Sequence, residues 1–278
     1  MKTKVAIATV KTAPAEVFKN VLLRKFAGVP DFEVVGEDSR DYIMIVCGGD
    51  GFLLETVQRT LGHARGYFGI NLGTVGFMMN DFGGLVPNEI VSQVVDLIRS
   101  NSFKVVTHPL LRAEIKLIAG EKFVRYAAND VVVRYFDSDQ AVRLEIVIDE
   151  VTLPVFSGDG IILGTPAGST AYTLSAGGSP VDHRLKCFTL TPIAPQISAE
   201  FANLTKPMIL SPDARVIIRV LETKKRPARC SIDTSGWNDI EEVAVSLKQG
   251  KDFSLLYVPG WNYFTRLSQK IFGVKQRR

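Results

Sequence analysis

At about residue 101 the pattern of this 278-residue chain changes, and that change constrains its fold more than any other feature. Before it, apolar runs of strand character alternate with stretches of helical spacing. The spacing predicts strands over 5–9, 32–35, 42–47 and 67–70, and helices over 15–26, 52–61 and 87–99. Leu53, Leu54, Val57 and Leu61 recur at helical intervals, and Pro87 opens a helix with Ile90, Val94, Leu97 and Ile98 on one face. Strands separated by helices call for a parallel sheet with ligands at the carboxyl ends of its strands. Beyond 101, β-branched runs dominate, over 103–117, 123–134, 142–148, 151–156, 188–191, 216–221, 243–247 and 253–257. Turn signals at Ala119-Gly120, Ser157-Gly158 and Gln249-Gly250 separate them. The expected organisation is an α/β amino-terminal domain with a parallel sheet over 1–102, followed by a β-rich carboxyl-terminal domain over 103–258. A last helix over 262–272 is expected, in a segment, 259–278, that docks back on the first domain.

Charge and cysteine usage remove several function classes. Thirty-three basic against 29 acidic side chains leave +4, too small an excess for nucleic acid, and no basic patch is interleaved with aromatics. Cys47, Cys187 and Cys230 are odd in number, far apart and without CxxC spacing, which disfavours disulfide scaffolding and zinc and suits a reducing cytoplasm. The amino-terminal apolar run stops at Lys11, short of a secretory signal, and no stretch reaches the ~18 apolar residues of a membrane span.

The chemistry is concentrated in glycine-rich segments. The strand at 42–47 runs into Gly48-Gly49-Asp50-Gly51, and a helical pattern follows at once. Glycines let phosphates or a ribose approach the backbone, and a helix amino terminus offers unpaired N–H groups to anions. An acid there opposes anion binding, so Asp50 suggests a proton acceptor or a metal ligand beside a phosphate site. GDG also suits a plain turn. After the next strand, Gly69-Ile70-Asn71-Leu72-Gly73-Thr74-Val75-Gly76-Phe77 either walls the same crevice, through Asn71 and Gly73, or simply makes a tight loop.

The densest segment starts at Gly158-Asp159-Gly160 and continues through Thr165-Pro166-Ala167-Gly168-Ser169-Thr170-Ala171-Tyr172-Thr173-Leu174-Ser175 to Ala176-Gly177-Gly178. Its hydroxyls and N–H groups suit ribose and phosphate oxygens, and Tyr172 offers a flat face to a base or nicotinamide ring. Asn129-Asp130 interrupts the run at 123–134; the pair can take the edges of an adenine or hold a ribose diol, or mark a bulge. Asp233 reads as a strand-end turn residue. His63, His108 and His183 share no ligand spacing, so no protein metal site is expected. GxSxG, GxxxxGK[ST] and a complete GxGxxG are all absent from the sequence.

Taken in order, GGDG, GINLGTVGF, AND, GDG with TPAGSTAY and SAGG, LTPIAPQ and SID resemble the NAD kinase family over about residues 4–264. GGDG alone would also fit lipid kinases and phosphofructokinases. The resemblance implies the two-domain NAD kinase-like fold and transfer of phosphate from ATP, or polyphosphate, to the adenosine 2′-hydroxyl of NAD, giving NADP. It implies Mg²⁺ carried by the donor phosphates and a homodimer or homotetramer. By resemblance Asp50 is the general base and Gly51 lies against the dinucleotide. Asn129, Asp130, Asp159, Thr170, Ala171, Tyr172, Thr173, Leu174, Ser175 and Ala194 fall at or beside NAD-contacting positions. Gly48, Gly49, Asn71, Gly73 and Asp233 fall in the phosphate and donor region.

Departures from the family pattern are Phe52 after GGDG, Ala167 in TPAGSTAY, the added Ser179, Thr234-Ser235 after Asp233, and the stretch from 196 to 207. They leave the acids in place. Two other readings stay open on sequence alone: a GGDG kinase with a different acceptor, and a dinucleotide-binding regulator without transfer activity.

Overall fold

The computed structural model describes residues 2–73, 76–136, 140–197, 204–247 and 251–273. The chain forms two compact units, one from residues 1–107 with 253–278 and the other from 108–252.

The first unit opens with β1 (Thr3–Thr9), α1 (Ala13–Ala27), β2 (Phe32–Val34), β3 (Tyr42–Gly48), α2 (Asp50–Thr60), β4 (Ala64–Asn71), α3 (Pro87–Arg99) and β5 (Lys104–Pro109). β1 pairs in parallel with β2 and β3, and β3 pairs in parallel with β4. β3 is buried along its whole length, as a strand covered on both faces must be. Val5, Ile7, Ile43, Ile45 and Cys47 point to a core shared with Phe18, Leu22 and Phe26 of α1 and Val91, Val94 and Ile98 of α3.

The second unit holds β6 (Leu111–Leu117), β7 (Lys122–Ala127), β8 (Asp130–Tyr135), β9 (Val142–Ile148), β10 (Val151–Thr152), β11 (Phe156–Gly158) and β12 (Gly160–Gly164). A 3₁₀ turn at Gly168–Thr170 and a single helical turn, α4 (Tyr172–Ser175), follow. Then come β13 (Phe188–Ile193), β14 (Met208–Leu210), β15 (Arg215–Leu221), β16 (Ala228–Ile232), β17 (Ser235–Trp237) and β18 (Ile240–Ser246). One sheet runs β10-β9-β15-β18-β6-β7 with β11 added against β9, and the other runs β14-β13-β12-β8-β16-β17. Their facing sides share one core of Leu144, Ile146, Val216, Ile218, Val243 and Val245 with Val131, Val133, Ile161, Leu163 and Leu190.

The chain then returns to the first unit as β19 (Asp252–Tyr257) and α5 (Tyr263–Phe272). This corrects one expectation: the strand at 253–257, read as part of the β-rich domain, lies between β4 and β5 in the sheet order β2-β1-β3-β4-β19-β5. Leu255 pairs in parallel with Tyr67. The units divide at 107/108 and 252/253, where the sequence suggested 102 and 258. α5 belongs to the first unit, where Arg266 donates to the Met79 carbonyl at 3.4 Å and Tyr263 meets the Phe77 ring edge-on.

Other expected runs are broken by local chemistry. The 151–156 run splits around Pro154, which has no N–H to give a ladder. The 103–117 run breaks at Leu110, and the 123–134 run breaks at Ala128-Asn129. Ser157-Gly158, expected to be a turn, lies inside β11, and Asp159 alone makes the turn into β12. Gln249 and Gly250 lie outside the described residues.

Candidate functional site

In the first unit, Gly49 is the extended amino-terminal cap of α2 and Asp50 is its first residue. A carboxylate in the first turn is favoured by the unpaired N–H groups of the helix end. Its two oxygens also accept backbone N–H groups from the loop after β4: Phe77 to Oδ2 at 2.8 Å and Met78 to Oδ1 at 3.0 Å. That loop is pinned because Asn80 pairs back on β4, exchanging backbone bonds of 2.9 Å with Gly69 and Asn71. Gly76 packs so close that a Cβ there would lie 3.2 Å from Asp50 Oδ1 and 2.9 Å from Met79.

The glycines of GGDG divide by environment. A Cβ on Gly48 would meet Val10 at 2.9 Å and Phe52 at 3.1 Å, so Gly48 serves the packing of its own strand end. Gly49 and Gly51 would place a Cβ in open space. They therefore leave room on both sides of Asp50 for another molecule. Asn71 sits beside Gly48 in the register, and its side chain accepts the Gly73 N–H at 3.1 Å, closing a local turn. Thr74 and Val75 of this glycine segment lie outside the described residues.

Two cations that the sequence reading passed over come from α5. Asp50 acts electrostatically on Lys270, whose ammonium stands 5.1 Å from the Phe77 ring centre. Desolvation pushes the Lys270 pKa below the ordinary lysine value, and the Asp50 charge opposes that shift. Arg266 approaches Asp81 at 3.8 Å. Burial, then the Asp50 charge, push the Tyr257 hydroxyl well above the usual phenol range.

In the second unit, period-2 alternation places the polar groups of the predicted site. Val131 and Val133 of β8 face the sandwich core, so Asp130 and Val132 face the other side of that sheet. The cross-strand rows there are Asp130–Gly164–Thr189 and Val132–Ile162–Thr191. Residues 165–178 lie over this face. Thr165 donates its N–H to Asn129 O at 2.8 Å and its hydroxyl to Ala128 O at 2.6 Å. A Cβ on Gly168 would fall 2.1 Å from Asn129 O, so only glycine lets the turn dock this closely.

Asp233 completes the arrangement. It occupies a left-handed position (φ 48°) in the two-residue hairpin between β16 and β17. Its carboxylate accepts the N–H groups of Ala128 and Asn129 at 2.8 Å each and that of Asp130 at 3.2 Å. Asp130 itself is buried; desolvation, then the like charge of Asp233, raise its carboxyl to about 7. The Asn129 Oδ1 is buried without a protein partner, as are the Thr173 and Thr191 hydroxyls.

Several hydroxyls expected to reach a ligand are used internally. Ser169 donates to Pro166 O at 2.6 Å and accepts the Val181 N–H at 2.8 Å, while Thr170 is buried and donates to Ala167 O at 3.4 Å. Thr173 is fully buried toward Gly164 and Gly178. Tyr172 and Ser175 are exposed, and Ala171 and Leu174 half-exposed. Asp159 and Ala194 stand apart from this group. Asp159 donates to Ile193 O at 3.0 Å and accepts from Tyr135, which places both residues at the far end of β12. The five residues of β12 put that end ~13 Å from Gly164.

The glycine-flanked carboxylate on a parallel α/β sheet, and the acid–amide pair under a Gly-Ser-Thr turn, define a nucleotide-dependent phosphotransferase. Residues 128–249 match the model of the ATP-NAD kinase C-terminal domain. The NAD kinase of Zymomonas mobilis is 33% identical over 234 residues, covering 83% of this chain and 85% of that protein. The NAD kinase of Mesorhizobium japonicum is 31% identical over 233 residues, 83% and 84% of the two chains. The chain belongs to the NAD kinase family. The fold agrees with solved structures of yeast NADH kinase complexed with NADH (TM-score 0.78, 22% identity, covering all of this chain and 89% of the other) and of an Archaeoglobus fulgidus NAD kinase in complex with ATP (TM-score 0.73, 21% identity, 98% and 100%).

Proposed function

We propose that this chain phosphorylates the adenosine 2′-hydroxyl of NAD with ATP as donor, giving NADP, and that Asp50 is the general base. One observation carries the assignment of the base: Asp50 stands between two glycines that leave open space, with its carboxylate oriented by the Phe77 and Met78 N–H groups. Each oxygen keeps a further lone pair for a substrate hydroxyl. Phosphoryl transfer demands alignment and charge neutralisation more than covalent chemistry from the protein. Asp50 holds the 2′-hydroxyl and accepts its proton as the oxygen bonds to the γ-phosphorus and the bond to the leaving ADP breaks. Lys270 offers positive charge at the same corner, and the helix end at Gly49 offers N–H groups to the phosphates.

Asn129, Asp130, Ala171, Tyr172 and Ser175 are assigned to the dinucleotide, supported by the unpartnered Asn129 Oδ1 and the exposed Tyr172 ring. Thr170, Thr173 and Leu174 are assigned to the same dinucleotide site on family resemblance. Asp159 and Ala194 are assigned to the dinucleotide on family resemblance. Among the described residues no three His, Cys, Asp or Glu side chains converge on one point. The divalent cation is assigned to the donor phosphates on family resemblance; Mg²⁺ is commonly held there with few protein ligands. No described helix is long and apolar enough to cross a membrane. A cytoplasmic location is supported by three buried free thiols, and a homo-oligomer by resemblance alone.

The test is to incubate the protein with NAD, ATP and Mg²⁺ and to assay NADP with an NADP-specific dehydrogenase. Asp50→Asn is expected to lose about 10²–10⁴-fold in turnover while still binding NAD. NAD binding without NADP formation by the unaltered protein would turn the assignment to a regulator. A variant with full activity would overturn the assignment of the base.

A further inference from the structure

We propose that Asp233 is a positioning residue for dinucleotide recognition: its carboxylate fixes the turn that aims Asn129 and Asp130, and does not itself touch a phosphate. The inference rests on the assignment of Asn129 and Asp130 to NAD made above. Family resemblance puts an acid at this position near the phosphates, but the geometry points elsewhere. Oδ2 accepts the Ala128 N–H at 2.8 Å, and Oδ1 accepts those of Asn129 at 2.8 Å and Asp130 at 3.2 Å. The Asp233 N–H returns a bond of 3.2 Å to Asp130 O, so hairpin and turn are tied in both directions. Three charge-assisted bonds to consecutive backbone amides set the direction of the β7–β8 connection. They also draw the negative charge of Asp233 onto the protein, where a nearby substrate phosphate would otherwise be repelled.

The two side chains so placed are those with unmet demands. The Asn129 Oδ1 is buried without a partner, and Asp130 is a buried acid whose charged form is opposed by burial and by Asp233. β12 approaches Asp130 with Gly164, the β16 pairing ends one residue away at Val131–Ile232 so that Asp233 itself comes opposite Asp130, and the turn over 165–170 carries no charged residue. Among the described residues Asp233 is the charged group that acts on Asp130. Releasing the turn frees both side chains at once.

Two variants of the full chain separate this role from phosphate contact. Asp233→Gly removes the carboxylate and suits the left-handed backbone (φ 48°). Asp233→Asn tolerates that backbone too, keeps one acceptor oxygen and loses the charge. NAD affinity is measured by calorimetry without ATP across a pH series, and the KM for ATP at saturating NAD. Asp233→Gly is expected to weaken NAD binding about tenfold or more, with the ATP KM within about twofold of wild type. Asp233→Asn is expected to bind NAD within about threefold of wild type and to move the pH midpoint of binding downward, because the like charge on Asp130 is gone.

A rise in ATP KM or a loss in kcat of about 100-fold, with NAD affinity unchanged, would place Asp233 at the phosphates and overturn the proposal. So would two variants with unaltered NAD affinity and pH midpoint. If Asp233→Gly does not fold, the ATP KM of Asp233→Asn decides: a value within about twofold of wild type keeps the carboxylate off the phosphates, and a rise of about 100-fold overturns the proposal. Asn129→Ala and Asp130→Asn are run alongside. Should neither change NAD affinity, the fault lies in the reading of the pair, and the proposal falls with it.

Discussion

Asn80 and Leu256, 176 positions apart, are joined by a hydrogen bond of 2.9 Å inside the first unit. The same Nδ2 donates to Gly69 O at 2.9 Å, and Oδ1 accepts the Val258 N–H at 2.9 Å. One fully buried amide therefore clamps β4 to the chain around β19 and anchors the loop that holds Asp50. Asn80→Ala takes the side-chain partner from the Leu256 carbonyl and the Val258 N–H, while Gly69 O keeps the Asn80 backbone N–H, and is expected to cost about 3 kcal/mol, read from denaturant unfolding. Because Phe77 and Met78 orient Asp50, kcat should fall with it while NAD affinity is retained.

The glycines around Asp50 should separate stability from activity. Gly48→Ala forces a Cβ to within 2.9 Å of Val10 and should lower the melting temperature. Gly51 meets nothing and sits inside α2, where alanine is better than glycine by about 1 kcal/mol. Gly51→Ala should therefore raise the melting temperature and still depress turnover, because the added methyl occupies the approach to Asp50. A variant that gained stability and kept full activity would show that this side of Asp50 faces only solvent.

Asp130 predicts a pH dependence of stability. Burial and Asp233 hold its carboxyl at about 7 in the folded chain, against an ordinary 3.8. Between those values the folded state binds more protons than the unfolded one, so this group's contribution weakens as pH rises from about 4 to about 7. Thermal unfolding of Asp130→Asn should therefore show a gain over wild type at pH 8 that shrinks at pH 5.

His108 acts in the opposite sense. It is buried, its ring centre 6.2 Å from that of His183, and burial, then His183, lower its pKa from 6.5 to about 3. The unfolded chain binds the extra proton over that range, so stability is lost as pH falls from about 6.5 toward 3. Replacing His108 with Phe should flatten the acid limb of the stability profile and leave the neutral plateau little changed.

What could be read in advance was local. The strand at 42–47, its glycine turn and the helix after it are contiguous, so Asp50 could be placed on a helix end from sequence alone. The strand at 253–257 was legible as a strand but not as a member of the parallel sheet. A short, continuously apolar strand carries no mark of which neighbours it pairs with. Asp233 looked like a turn residue and is one, but its partners are amides 103 to 105 positions earlier, which no local pattern announces. The TPAGSTAY hydroxyls were read by their chemistry, whereas burial assigns Thr165 and Ser169 to bracing the turn itself. Lys270 has no motif around it and is noticed only because α5 brings it to Phe77.

The place of β19 between β4 and β5 has a consequence for biosynthesis. A ribosome delivers residues 1–107 first, yet the strand that completes their sheet emerges only after the whole of 108–252 has been made. Until then β4 presents an unpaired, apolar edge, the kind of surface that recruits other chains. The later-made sandwich is contiguous in sequence and can close while the earlier-made unit is still waiting. The nascent chain therefore matures out of order, and truncation immediately after residue 252 would leave an intact insert attached to a host that cannot close.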